Sequence, residues 1–114
     1  MRLGITDYID CAHMLPGHPK CGQLHGHTYR VELTVEGELE GGMLLDFAEL
    51  KAQLRGVLAR YDHRHWNDFI EFPTVENVCE RLAGDLASVL AFPFTLRVHE
   101  GHAKWAETGR GPAR

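Results

Sequence analysis

The chain has 114 residues, 44% of them hydrophobic and 25% charged, the make-up of one compact globular domain with no room for a second. Its net charge is −4 and no stretch gathers Lys and Arg into the groove a polyanion needs, which sets nucleic acid aside as a partner. No apolar run reaches the length of a membrane span, no signal-peptide segment opens the sequence, and three cysteines cannot complete a disulfide framework within one chain, so a soluble protein of a reducing cytoplasm is expected.

Leu3, Ile5, Ile9, Cys11 and His13 recur at period two, which predicts a first strand over 2–13. Asp7 interrupts that face and is expected at a bulge or an interface. A loop dense in turn residues follows from Leu15 to Gly22. The second strand runs from about His25 to Glu36. His25, His27, Tyr29, Val31, Leu33 and Val35 share one face, and polar residues with Gly26 take the other, as in a half-buried antiparallel strand. Glu38 to Gly42 form a turn, and Met43-Leu44-Leu45 a short extended piece.

Helical spacing then takes over. Phe47, Leu50, Leu54, Val57, Leu58 and Tyr61 make one stripe, with Asp46 as N-cap and Glu49 following in the first turn. After a polar break over 62–73, Pro73-Thr74 opens a second helix with the stripe Val75, Val78, Cys79, Leu82, Leu86, Val89 and Leu90, and Pro93 stops it. Phe94, Leu96, Val98 and Glu100 alternate on the last clear strand, and the tail adds a short one around Trp105. No repeat or linker divides residues 1–114, so they read as a single domain. The order predicts an α+β fold with two helices on one face of an antiparallel sheet. A domain this small gains from self-association, because it buries a modest share of its own surface.

The histidines carry the chemical signal. Residues i and i+2 of a strand point the same way, so His25 and His27 leave one face together. By itself such a pair also fits two partly exposed strand residues. His13, ending the first strand on its own apolar face, converges with them if the two strands are neighbours, and three imidazoles with an open fourth position are the arrangement of a catalytic zinc site. Cys11 shares the face of His13 and is either a fourth ligand, closing a non-catalytic zinc site, or a packed side chain. Cys79 lies within a helical stripe and reads as packing, whereas Cys21, in a Gly/Pro-rich loop near the histidines, has the setting of a thiol general base. In Asp62-His63 a carboxylate can orient an imidazole, although adjacent polar residues are common in solvated loops. Glu100 puts a carboxylate on an apolar strand face. It is either solvated at a strand end or paired with a ligand that offers two N–H donors side by side, such as the edge of a pterin.

Taken in order, these segments resemble the 6-pyruvoyl- and 6-carboxytetrahydropterin synthase family over nearly the whole chain. Ile9-Asp10-Cys11-Ala12-His13 is similar to its Phe-x-Ala-Ala-His, and Cys21-Gly-Gln-Leu-His25-Gly-His27 to its Cys-x-x-x-His-Gly-His. Asp46-Phe47-Ala-Glu-Leu50-Lys51 is similar to Asp-Phe-x-x-Leu-Lys, Asp62-His63-Arg-His-Trp-Asn67 to Asp-His-x-x-Leu-Asn, and Pro73-Thr74-Val-Glu76-Asn77 to Pro-Thr-x-Glu-Asn. Val98-His-Glu100 and Trp105-Ala106-Glu107 resemble the closing strands. Cys11 stands in place of an alanine, Trp66 of a leucine, and Gly101 where threonine is common.

The resemblance implies a T-fold (tunnelling fold) lyase, assembled as a homohexamer with sites between subunits. It implies zinc on His13, His25 and His27, with Cys21 as the proton-abstracting base and Asp62 and His63 assisting proton transfer. Glu100 and Thr74 are then substrate contacts, and Lys20, Arg64 and Lys104 are candidates for the triphosphate. The implied substrate is 7,8-dihydroneopterin triphosphate. The short Cys-x-x-x-His-Gly-His spacing resembles the carboxy type, which releases acetaldehyde on the route to queuosine; the pyruvoyl type is the alternative.

Overall fold

The alternating stretches at the start of the chain fold as two long strands, β1 over Arg2–His13 and β2 over His25–Glu36. The structure is a computed structural model and describes residues 1–112. β1 and β2 pair antiparallel without a break, from Arg2 opposite Glu36 to His13 opposite His25. β3, Phe94–Glu100, lies against β2, and β4, Lys104–Arg110, against β3, which gives one antiparallel sheet in the order β1-β2-β3-β4.

Helix α1, Phe47–Leu58, starts at Asp46, whose carboxylate accepts from the Ala48 N–H at 2.8 Å. Helix α2, Val75–Ala87, starts at Thr74, whose hydroxyl accepts from the Asn77 N–H at 3.1 Å. α1 packs over β1 and α2 over β3 and β4. Leu50, Leu54, Leu58, Val78, Leu82 and Leu86 meet Ile9, Tyr29, Val31, Leu33, Leu96 and Val98 in one buried cluster, the two-layer arrangement the periodicities predict. The other face of the sheet carries no helix among the described residues. Among the described residues no helix is long and apolar enough to cross a membrane.

Three local expectations change. Asp7 sits at no bulge, since it pairs in register with Val31, and its carboxylate is held by Arg55 of α1. Phe47 and Val89 belong to the apolar stripes by spacing but are 48% and 41% exposed. Phe47 is the first residue of α1, and Val89 lies beyond the Ser88 cap of α2, so neither side chain keeps the phase of the buried face. Tyr61 and Leu90 also lie past the helix ends yet remain buried, carried inward by the turns that close each helix. Met43 of the expected extended piece pairs only with Glu40, across Gly41 and Gly42 with φ of +62° and +81°, a turn that favours glycine at both positions.

Candidate metal and active site

The β1–β2 register places His13 directly opposite His25 and Cys11 opposite His27, so the three imidazoles meet at the end of the hairpin on the helix-covered face. Their ring centroids lie 4.6, 5.1 and 4.8 Å apart. His13 Nδ1 is 2.8 Å from the Pro73 carbonyl and His25 Nδ1 is 2.7 Å from the Gln23 carbonyl. A carbonyl only accepts, so each Nδ1 carries the proton and each Nε2 of the neutral ring is a bare lone pair. Those two lone pairs face each other at 3.0 Å, a repulsive contact that a cation between them relieves. His27 Nε2 is buried with no hydrogen-bond partner, and the three donor atoms fall within 4.8 Å of one another. Burial holds the His27 pKa below the ordinary imidazole value against the opposing pull of Glu100, which keeps the ring in its metal-binding form. The donor set therefore fits a zinc ion with one side open.

The surroundings hold these rings in place. Asn67 clasps the residue after His13, accepting from the Met14 N–H and donating to the Met14 carbonyl, both at 2.9 Å. Asn77 donates to the Phe72 carbonyl at 2.8 Å while Thr74 caps α2, and the Pro73 carbonyl between them orients His13. Thr74 thus supports the site from behind, and its hydroxyl is engaged by the cap. The Pro/Gly-rich loop is pinned by His18, whose Nδ1 accepts from the Cys21 N–H at 2.8 Å.

Cys21 shares a cavity of about 340 Å³ with Lys20, His25, His27, Glu100 and Lys104. Glu100 lies opposite Tyr29, one step along the face from His27, because β3 is the neighbour of β2. Its carboxylate is 14% exposed and lies 3.9 Å from His13 Nε2, 3.7 Å from His27 Nε2 and 3.8 Å from Lys104 Nζ. Gly101 after it has φ +70° and donates to the Thr28 carbonyl at 3.1 Å, so the residue type follows from the left-handed start of the β3–β4 turn.

Other expected residues fall elsewhere. Cys11 turns its thiol to the Tyr61 carbonyl at 3.1 Å, and burial pushes it up to about 11, so it packs in the core and stands outside the imidazole cluster. Asp62 and His63 run along the outer edge of β1, where His63 donates its N–H to the Asp10 carbonyl at 2.7 Å and Ala12 its own to the Arg64 carbonyl at 3.0 Å. With Arg64, His63 lines a groove of about 450 Å³ along the outer edge of β1 that includes Asp10, Ala12, Gly26 and Thr28 and reaches Cys11 and His27. The Asp62–His63 pair therefore sits at the edge of β1, in a group separate from the three-imidazole cluster. Lys20 and Lys104 join the Cys21 cavity; Arg64 does not.

Neither the Pro73 carbonyl nor Arg55 is marked as functional by the spacing of residues along the sequence. Asp7 was the signal for the second, since a carboxylate on an apolar strand face requires a cationic partner.

A family model, "6-pyruvoyl tetrahydropterin synthase", matches residues 2–110. The chain belongs to the 6-pyruvoyl tetrahydropterin synthase family. It is 42% identical over 111 residues, 96% of each chain, to an Archaeoglobus fulgidus protein provisionally named a 6-carboxy-5,6,7,8-tetrahydropterin synthase. A Bacillus subtilis 6-carboxy-5,6,7,8-tetrahydropterin synthase is 33% identical over 73% of this chain and 63% of its own length. A Pyrococcus furiosus dihydroneopterin monophosphate aldolase is 45% identical over 49% of each chain. The Caenorhabditis elegans 6-pyruvoyl tetrahydropterin synthase structure superposes with a TM-score of 0.84 at 24% identity, covering 97% of this chain and 96% of that one. The fold is the T-fold of this family, and membership makes the chain a pterin-synthase-type enzyme.

Proposed function

We propose that the chain is a zinc-dependent 6-carboxy-5,6,7,8-tetrahydropterin synthase that converts 7,8-dihydroneopterin triphosphate and water to 6-carboxytetrahydropterin, acetaldehyde and triphosphate, in a queuosine-type pathway. The observation that carries the reading is the convergence of three imidazoles, two with facing Nε2 atoms and one with an unpartnered Nε2, beside Cys21 and Glu100. His13, His25 and His27 hold the ion, which when bound supplies Lewis-acid polarisation of the substrate side chain. The Glu100 carboxylate accepts from the paired N–H donors of the pterin and sets the ring's orientation. Cys21, in the same cavity, takes the proton from the side-chain carbon. Lys20 and Lys104 offer cations to the phosphates at the cavity rim.

His63, oriented by Asp62, moves a proton for the site of a neighbouring subunit, since it sits at an edge strand and outside its own chain's imidazole cluster. A homohexamer meets that need, and a small domain with two sheet edges is suited to it. The Bacillus relative's name supports the carboxy product. The Pyrococcus relative supports a second reading, an aldolase of a phosphorylated dihydroneopterin. Zinc per chain and the products formed from dihydroneopterin triphosphate decide between them. Stoichiometric zinc with acetaldehyde is the expected result. Zinc with a phosphorylated aldehyde selects the aldolase, zinc with a pyruvoyl pterin selects the pyruvoyl type, and absence of zinc from protein prepared in its presence refutes the metal reading.

A further inference from the structure

We propose that Arg55, locked by Asp7, is the positioning residue of the Asp62–His63 pair. The inference rests on the reading of His63 as a proton-transfer group. Arg55 projects from α1 under the edge of β1 and donates through Nε and Nη2 to the two oxygens of Asp7, at 3.0 and 2.8 Å. Nη2 also donates to the Tyr8 carbonyl at 2.9 Å, and Nη1 to Asp62 Oδ2 at 3.2 Å. A guanidinium is planar and rigid, so fixing one side of its fork by two bonds fixes the direction of Nη1 on the other. Lysine, a point charge on a flexible stem, has no such second direction to give.

Both oxygens of Asp62 are thereby committed. Oδ2 accepts from Arg55, while Oδ1 accepts from the Asp10 N–H at 3.0 Å and faces His63 Nδ1 at 3.0 Å. The carboxylate cannot turn without losing one of them, so it keeps an acceptor oxygen beside His63 Nδ1, which favours the proton there and a bare Nε2 for a substrate or a bridging water. His63 needs such control. Its side chain is 78% exposed and its backbone is left-handed, at φ 63°, an uncommon conformation for a residue with a Cβ. The otherwise unexplained carboxylate of Asp7 on the helix-covered face of β1 then has a function: it aims Arg55.

The test is a mutant cycle on the zinc-loaded protein. Arg55→Gln and Asp7→Asn are each expected to lower kcat 10- to 100-fold with KM within twofold and zinc content unchanged. In a His63→Ala background the same changes are expected to cost less than a further twofold, since a residue acting through His63 has nothing left to position. Arg55→Lys is expected to keep the fold and recover only part of kcat, and it replaces Arg55→Gln if that variant does not fold. Equal losses with and without His63, or unchanged kcat in folded variants, overturn the positioning role alone. Full turnover in His63→Ala overturns the proton-transfer role and the positioning role with it.

A readout independent of turnover is the His63 tautomer by NMR at about pH 8.5, above the imidazole range. The Nδ1–H form is expected to dominate in the parent and to give way to a mixture in Arg55→Gln. An unchanged tautomer refutes the positioning even if dihydroneopterin triphosphate proves not to be the substrate.

Discussion

Glu100→Gln separates two roles that the geometry places side by side. The carboxylate lies within 4 Å of two imidazole nitrogens and opens on the Cys21 cavity, so it stands either as a fourth metal ligand or as the anchor of the pterin. As an anchor it accepts two N–H bonds from the ligand. Glutamine turns one of those acceptors into a donor and removes the charge. A hydrogen bond to a charged group contributes about 1.5–3 kcal/mol, and the side chain is only 14% exposed, so little water is available to compensate. The expected loss is about 10- to 150-fold in substrate affinity, at 1.4 kcal/mol per tenfold.

Zinc content is expected to stay at one per chain. Glu100 is the group that raises the His27 proton affinity against burial, so its removal favours the neutral, metal-binding ring. Steady-state KM and kcat with dihydroneopterin triphosphate, alongside zinc analysis, make the assay. An unchanged KM refutes the anchor, and zinc loss with the fold intact identifies Glu100 as a ligand.

Cys21→Ala is expected to keep zinc and lose turnover by at least a hundredfold; loss of metal in that variant would reassign the thiol as a ligand. Cys11→Ala should retain zinc and activity while losing the buried bond to the Tyr61 carbonyl, about 1 kcal/mol, or roughly 4–8 °C in thermal midpoint for a domain near this size. Reduced zinc occupancy there would restore Cys11 to the coordination sphere. Burial pushes the Asp7 and Asp62 carboxyls up, but it is outweighed by Arg55 and the Tyr8 N–H at Asp7, and by the Asp10 N–H and Arg55 at Asp62, so both titrate below their ordinary values. The folded chain then binds fewer protons than the unfolded chain. The stability these groups add is present above about pH 4 and is lost as pH falls through the lowered values. Arg55→Gln should therefore move the acid-unfolding midpoint of the zinc-free protein to higher pH by circular dichroism, and an unmoved midpoint contradicts the linkage.

Much of the architecture was legible because backbone geometry imposes its period on the side chains. Strand alternation put His25, His27 and Tyr29 on one side of β2, and helical spacing marked the buried stripe of α2 down to Leu86. The stripes erred at their ends, at Phe47 and Val89, where the chain leaves the helix and spacing ceases to report direction. Asp7 was recognisable as an exception, but its partner was not, because Arg55 is 48 residues away and meets it only when α1 settles over β1.

From the sequence alone came the element order, the shared face of the histidine pair, the cap at Asp46, the opening of α2 at Pro73-Thr74, and the motifs that resemble a pterin synthase. These depend on neighbours within a turn or a strand repeat, where local sterics and hydrogen bonding suffice. The tertiary structure decided what joins across the chain. The unbroken β1–β2 register brings His13 to His25, the placement of β3 beside β2 delivers Glu100 to His27, and the run of 62–65 along β1 sets His63 at the edge of the sheet. Those outcomes depend on which apolar faces pack together, a property of the whole fold that no short stretch of sequence holds.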